Sequence, residues 1–419
     1  MISSPSQASH PGPKVERVAV LTQQISHYHA ARYRAVRKEF EDLRIYSLMN
    51  SADFTEFLSR SPDLKNVVRV FEGHASYSDA VRSGKLWSRV HDELDGYMPH
   101  VVVVAGWSFP ESLAAIAWAR RSGARVAIMS ASQPHDAVRS QWREAIKRRV
   151  VSACDAALVA AGPHGDYAAR LGIPVTRVFF GYDAVDNDYF AAGADRARSS
   201  DSADRAAHGL PERYLLASGR FIEKKNFPAL VESFAAALAH GDHGHDLVIL
   251  GDGPERGAIE AAVKRHGVVD RVRLPGFRSY EALPAFYGLA DGFVHVAVSE
   301  QWGLVINEAG AAALPLLVSR PCGAASALVD AGVNGYLVEP RHPEEIVRAL
   351  QALMSLSPKE REAMGAESRR IVAAWSPDRY ARGLRSACEA ALACPPRELG
   401  MLDRMLFRAL SRMQISTVR

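Results

Sequence analysis

Short apolar runs rich in Val, Leu and Ile recur along the chain, separated by longer segments whose apolar residues fall three or four positions apart. Runs bounded by Gly or Pro and lacking polar alternation read as parallel strands buried on both faces; the 3.6-period segments read as helices packed over them. The strands are expected at residues 15–21, 44–49, 66–71, 101–107, 125–129 and 154–160 in the first half, and at 214–218, 246–250, 292–298 and 316–318 in the second. Helices are expected at 30–40, 110–121, 228–239, 343–354 and 358–374, with a further one opening around 375–380. Strand–helix alternation of this kind implies right-handed βαβ units in doubly wound sheets, with ligands at the carboxyl ends of the strands. The fold class is therefore α/β, with two doubly wound Rossmann-like domains.

Length supports two cores rather than one. The chain has 419 residues, 48% of them hydrophobic, which fits two domains of roughly 190 residues. The expected division is a disordered leader at 1–14, a first domain at 15–190, a linker at 191–211 rich in Ala, Asp, Arg and Ser, a second domain at 212–375 and a C-terminal segment at 376–419. A formal net charge of +4 lacks the dense basic clusters of a nucleic-acid binder, so none is expected as a partner. Cys154, Cys322, Cys388 and Cys394 show no CxxC spacing, which argues against a metal site and for a reducing, cytoplasmic compartment. The Ser/Pro/His-rich start lacks the apolar core of a secretory signal, and no window approaches the roughly 20 apolar residues that span a bilayer.

Chemistry concentrates in the second half. Ser299-Glu300-Gln301-Trp302-Gly303-Leu304-Val305-Ile306-Asn307-Glu308 follows a β-branched run and passes into a helix. Gly303 stands at the loop-to-helix junction, where the first free N–H groups of the helix can receive a diphosphate. Earlier, Ser218-Gly219-Arg220 ends a strand and Lys225 follows five residues after Arg220. Two cations at a strand's carboxyl end suit a leaving nucleoside diphosphate, on which negative charge grows. Gly251-Asp252-Gly253-Pro254 reads as a tight turn, and Gly276-Phe277 lies in a loop that runs from Val272 to Arg278.

Together these segments resemble the family-4 retaining glycosyltransferases of the GT-B fold, most strongly from residue 215 to 338. The resemblance implies two domains facing a central cleft and a C-terminal helix that crosses back to the first domain. It implies transfer of a hexose-type sugar, with retention and without metal or other cofactor, from a nucleotide-diphosphate sugar to a glycan, lipid-linked or small-molecule acceptor. On this carry-over Arg220 and Lys225 clamp the diphosphate, Glu300 orients sugar hydroxyls and Glu308 holds the ribose. Gly219, Gly253, Gly276, Phe277, Gly303, Leu304 and Val305 line the donor. A nucleotide-sugar 2-epimerase or a phosphorylase on the same fold, or a silent nucleotide-sugar-binding protein, are the alternatives.

The first half is less explicit. His27, Tyr28, His29 and Arg32 follow the first strand where relatives often carry a glycine-rich loop and could face an acceptor, and Ser132 and His135 stand near where many carry a histidine; His27, His29, Ser132 and His135 are the acceptor-side candidates. Asp186-Asn187-Asp188 spells a DxD sequence, which in this company reads as an Asx-rich turn. Arg139, Arg143, Lys147, Arg148 and Arg149 make a basic helix face. Leu402, Met405, Leu406, Ala409, Leu410 and Met413 line one face of a final helix, with Arg404, Arg408 and Arg412 on another. The basic face fits a solvated surface, a phosphate-bearing acceptor or an anionic membrane surface, and the final helix fits core packing or membrane-surface binding, which would place the protein peripherally on the inner face of the membrane.

Overall fold

A computed structural model describes residues 15–23, 25, 27–48, 62–64, 68–70, 79, 81, 83–136 and 140–412. The first sheet contains β1 (Arg17–Thr22), β2 (Asp42–Ser47), β3 (Val68–Val70), β4 (Val101–Ala105), β5 (Arg125–Ser130), β6 (Ala156–Val159) and β7 (Val178–Phe180), in the order β3-β2-β1-β4-β5-β6-β7. The second contains β8 (Tyr214–Ser218), β9 (Asp246–Leu250), β10 (Val272–Gly276), β11 (Gly292–His295), β12 (Leu316–Ser319) and β13 (Gly335–Val338), in the order β10-β9-β8-β11-β12-β13. Every recorded pairing is parallel, as in β1 against β4, where Val18 faces Val101 and Leu21 faces Val104. In both sheets the strand order reverses once, between β1 and β4 and between β8 and β11. The crevice above such a reversal is where doubly wound folds bind ligands.

The apolar runs are strands because helices cover both faces of each sheet, so Val101 through Val104 are all fully buried. The C-terminal helix Pro377–Leu392 returns to the first domain: Tyr380, Leu384, Ala387, Cys388 and Ala391 share a core with Val18 and Val20 of β1 and Val103 of β4. Ser376 starts it, its hydroxyl accepting from Arg379 N at 3.3 Å, an N-cap worth about 1 kcal/mol.

Several expectations need correction. Residues 191–211, expected as linker, are mostly helical, in Asn187–Ser199 and Asp201–His208. Alanine and arginine favour helices, and Phe190, Ala194 and Ala197 repeat at helical spacing to bury one face in the second domain's core. Asp186 caps this helix, its carboxylate accepting from Tyr189 N at 3.1 Å. Gly335–Val338, absent from the expected strands, is the edge strand β13; a Cβ on Gly335 would lie 2.0 Å from Leu316 O, so glycine permits the close approach. The short β7 gave too brief an apolar run to be recognised, and Val272–Gly276, expected within a loop, is the edge strand β10, whose run is interrupted by Arg273 and Pro275.

The final helix, Met401–Arg412, divides its apolar residues. Phe407 and Leu410 join the first domain's core with Leu399, whereas Met401, Leu402 and Met405 are exposed. The face drawn through Leu402, Met405 and Leu410 is therefore two faces, because Phe407 sets the buried side. Met413 lies outside the described residues, as does Arg139. Lys147 is not part of a solvated basic face: it is buried, with Nζ 4.4 Å from the Tyr167 ring centre and 5.4 Å from that of Trp107. Among the described residues no helix is long and apolar enough to cross a membrane.

Candidate active site

The reversal between β8 and β11 brings two sequence-distant loops together. The loop after β8 carries Gly219, the exposed Arg220 and a single 3₁₀ turn, Glu223–Lys225. The loop after β11 carries Glu300, and Lys225 Nζ donates to Glu300 Oε2 in an ion pair whose two side chains are each 12% exposed. Gly219 makes room for the lysine, since a Cβ there would meet Lys225 Cε at 3.3 Å.

His295, the last residue of β11, lies beneath the pair. It is fully buried with Nε2 3.7 Å from Glu300 Oε2, an electrostatic contact too long for a hydrogen bond. Burial alone would raise the proton affinity of Glu300; His295 and Lys225 outweigh it and hold the carboxyl well below its ordinary range. Burial, with Lys225 beside it, pushes His295 down. The site thus holds a carboxylate fixed against the Lys225 ammonium, with the His295 imidazole packed beneath both.

Gly303 caps the helix Leu304–Ala311 with φ +101°, a conformation that favours glycine. The amides of Leu304 and Val305 open the helix, where no intrahelical partner exists for them. Glu308, one turn on, is buried, and Tyr287 Oη donates to its Oε2 at 2.6 Å. Gly253 has φ +152°, and a Cβ there would strike Phe221 O at 2.6 Å, so the turn presses against the loop that carries Arg220. Gly276 ends β10, and Phe277 beyond it is 80% exposed.

The first domain reaches this site through residues the sequence did not single out. Gln133 Nε2 donates to Glu300 O at 2.7 Å and to Pro321 O at 3.2 Å. His164 Nε2 donates to Gln301 O at 2.8 Å, while its Nδ1 accepts from Ala161 N at 3.3 Å. Asp136 accepts from Ser299 Oγ through its carbonyl at 3.2 Å and from Gln301 Nε2 through its carboxylate at 3.1 Å. Of the acceptor-side candidates, Ser132 is half-buried beside Ser130, and His135 is exposed on the turn; Gln133 between them makes the contact across the cleft. His29 is not in a loop but in the helix His27–Glu39, stacked on Tyr33 at 5.8 Å. His27 begins that helix, and its side chain lies outside the described residues. One turn beyond His29, Arg32 is buried, and its Nη1 donates to Tyr182 O at 3.2 Å. Asp183 follows, also buried, its carboxyl pushed up to about 7 by burial, which Arg32 eases and Glu300 reinforces.

A family model described as glycosyl transferases group 1 matches residues 200–371. The chain carries a glycosyl transferases group 1 domain. This domain contains β8 to β13 and the Lys225–Glu300 pair. Among curated relatives, alpha-D-kanosaminyltransferase of Streptomyces kanamyceticus is 30% identical over 189 residues, 45% of this chain and 48% of the relative. D-inositol 3-phosphate glycosyltransferase of Salinispora tropica is 33% identical over 202 residues, 45% of this chain and 41% of the relative. The chain therefore spans under half the length of these two relatives. Among solved structures, HepE of Anabaena in complex with UDP and glucose superposes with a TM-score of 0.70 at 15% identity, covering 88% of this chain and 98% of that one. Sucrose-phosphate synthase of Thermosynechococcus elongatus gives 0.68 at 18%, covering 88% and 97%. These likenesses establish the GT-B fold around the group 1 domain.

Proposed function

We propose that the protein is a retaining, metal-independent glycosyltransferase that moves a hexose-type sugar from a nucleotide-diphosphate sugar to a glycan, lipid-linked or small-molecule acceptor. The observation that carries this reading is the Lys225–Glu300 pair at the strand-order reversal of the group 1 domain. Lys225 and Arg220 supply positive charge where the diphosphate leaves, and the amides of Leu304 and Val305 add N–H donors at the helix start. Glu300, kept ionised, accepts hydrogen bonds from sugar hydroxyls, and Lys225 shifts from it to the phosphate as charge grows there. Glu308 binds the ribose hydroxyls once Tyr287 shares its carboxylate. Phe277 offers an exposed ring for the base. No carboxylate acts as a nucleophile; the departing phosphate takes the acceptor's proton as the acceptor attacks from the same face.

The protein acts in the cytoplasm, peripherally on the inner face of the membrane. Exposed Trp142, Met401, Leu402 and Met405 support this, with exposed Arg143 and Arg148 on the same helix as Trp142 and Arg149 paired to Asp403. The deciding experiment is product analysis by NMR, with and without acceptor, in the presence of EDTA. An α-configured product from an α-configured donor is expected; inversion, or loss of turnover that added metal restores, would overturn the reading.

A further inference from the structure

Beside the catalytic loop lie two buried groups of opposite charge that do not pair. Asp183 and Arg32 are 8% and 5% exposed, and among the described residues no ion pair joins them. Asp183 Oδ2 and Arg32 Nε both lack a hydrogen-bond partner. Arg32 is held in place: its Nη1 is committed to Tyr182 O, and its guanidinium carbon sits 5.9 Å from the Tyr182 ring centre and 5.5 Å from that of Tyr380. Tyr182 N in turn donates to Val159 O at 3.1 Å, so the chain leaves β7 back across the end of β6. Asp183 lies within electrostatic reach of Glu300 on the opposite domain.

A buried donor and a buried acceptor left open cost about 1–3 kcal/mol each, and the ligand that satisfies both defines itself chemically. A hydroxyl donates to the carboxylate and accepts from the guanidinium at once. A phosphate would satisfy Arg32 and be repelled by Asp183; an ammonium would do the reverse. We propose that Arg32 and Asp183 form the acceptor subsite and hold a hydroxyl of an uncharged sugar or cyclitol ring across the cleft from Glu300. This rests on the glycosyltransferase reading.

The test is saturation-transfer NMR on the full chain saturated with UDP. The neutral probes are methyl α-D-glucopyranoside, methyl α-D-mannopyranoside and myo-inositol; glucose 6-phosphate and glucosamine are their charged counterparts. At least one neutral probe should bind more tightly than both charged ones. Asp183→Asn and Arg32→Gln should each weaken it by about ten- to a hundredfold, with UDP affinity unchanged as the measure of an intact fold. Preference for a charged probe, undiminished binding in either variant that still binds UDP, or no neutral probe bound to UDP-loaded protein would overturn the subsite. Failure of the wild-type chain to bind UDP would instead overturn the proposed function.

Discussion

The two domains meet across one cleft, and their facing sides are built in opposite ways. Above β8 and β11 the charges are already matched: Lys225 holds Glu300, with His295 underneath. On the first domain's side the buried groups are unmatched, with Arg32 Nε and Asp183 Oδ2 left open. A site that binds a dianion and then stabilises its growing charge gains from pre-oriented cations. One that selects a neutral hydroxyl gains from polar groups that no internal partner satisfies, because ligands unable to complete them are rejected. On the proposed reading, the difference separates a preorganised donor side from a selective acceptor side.

The largest expected effect tests the matched side. Lys225→Ala removes a cation from the departing diphosphate and should lower kcat roughly 10²–10³-fold, about 2.7–4 kcal/mol, more than it raises donor KM. Arg220→Ala should act similarly, and because Arg220 is exposed its loss should leave the thermal midpoint unchanged. Steady-state kinetics with unaltered kcat in both variants would place the diphosphate elsewhere.

The unmatched side should show the opposite link between function and stability. Asp183 has a folded-state carboxyl at about 7 against an ordinary 3.8. A raised carboxyl contributes stability that is present below the ordinary value and lost as pH rises through about 7, since above it the fold must bury the charge. Asp183→Asn should therefore be more stable than wild type at pH 8, by roughly 2–4 kcal/mol, with the advantage shrinking towards pH 4. Chemical denaturation across that range checks it. A destabilised variant at pH 8 would mean that Asp183 is an internal structural partner instead.

A smaller effect belongs to the base. Phe277 is exposed, so Phe277→Ala should cost no stability but lose about 1–3 kcal/mol of stacking on a nucleobase. Donor KM should rise and kcat hold; unchanged donor affinity by calorimetry would move the base away from the end of β10.

The same contrast governs what the sequence conveys. Arg220 and Lys225 lie five apart in one loop, and Glu300, Gly303 and Glu308 lie in one strand-loop-helix segment, so each half of the donor side is local in the chain. Most strands of both sheets were legible for a similar reason, since a buried parallel strand such as β4 is its own apolar run, whereas β7, β10 and β13 are too short or too interrupted to form one. The first domain's side was legible only at Arg32, which follows the first strand; Gln133, His164 and Asp183 come from three further segments that meet it only through the order of β1 to β7. His295 was hidden differently, as one polar residue in the apolar run of β11. The helix Asn187–Ser199 was masked by a composition shared with linkers, and only the spacing of Phe190, Ala194 and Ala197 distinguished it.

The smallest effect concerns the contact that joins the two sides. Gln133 is 6% exposed, and its amide nitrogen donates to Glu300 O and Pro321 O, so it fixes the backbone of the loop whose side chain faces the sugar. Both acceptors are backbone carbonyls, distinct from the Glu300 carboxylate that Lys225 holds and from the exposed Phe277. Gln133→Ala removes two neutral hydrogen bonds, each worth about 0.5–1.5 kcal/mol net, and water entering the gap recovers part of that. Donor affinity should therefore hold, while kcat falls a few-fold because Glu300 is less well positioned when the domains meet. Gln133→Glu should be worse, since a carboxylate in place of the amide presents oxygens to two carbonyl oxygens. Should both variants keep wild-type kcat, the bridge across the cleft contributes nothing to the reacting geometry, and the donor side is positioned entirely by its own domain.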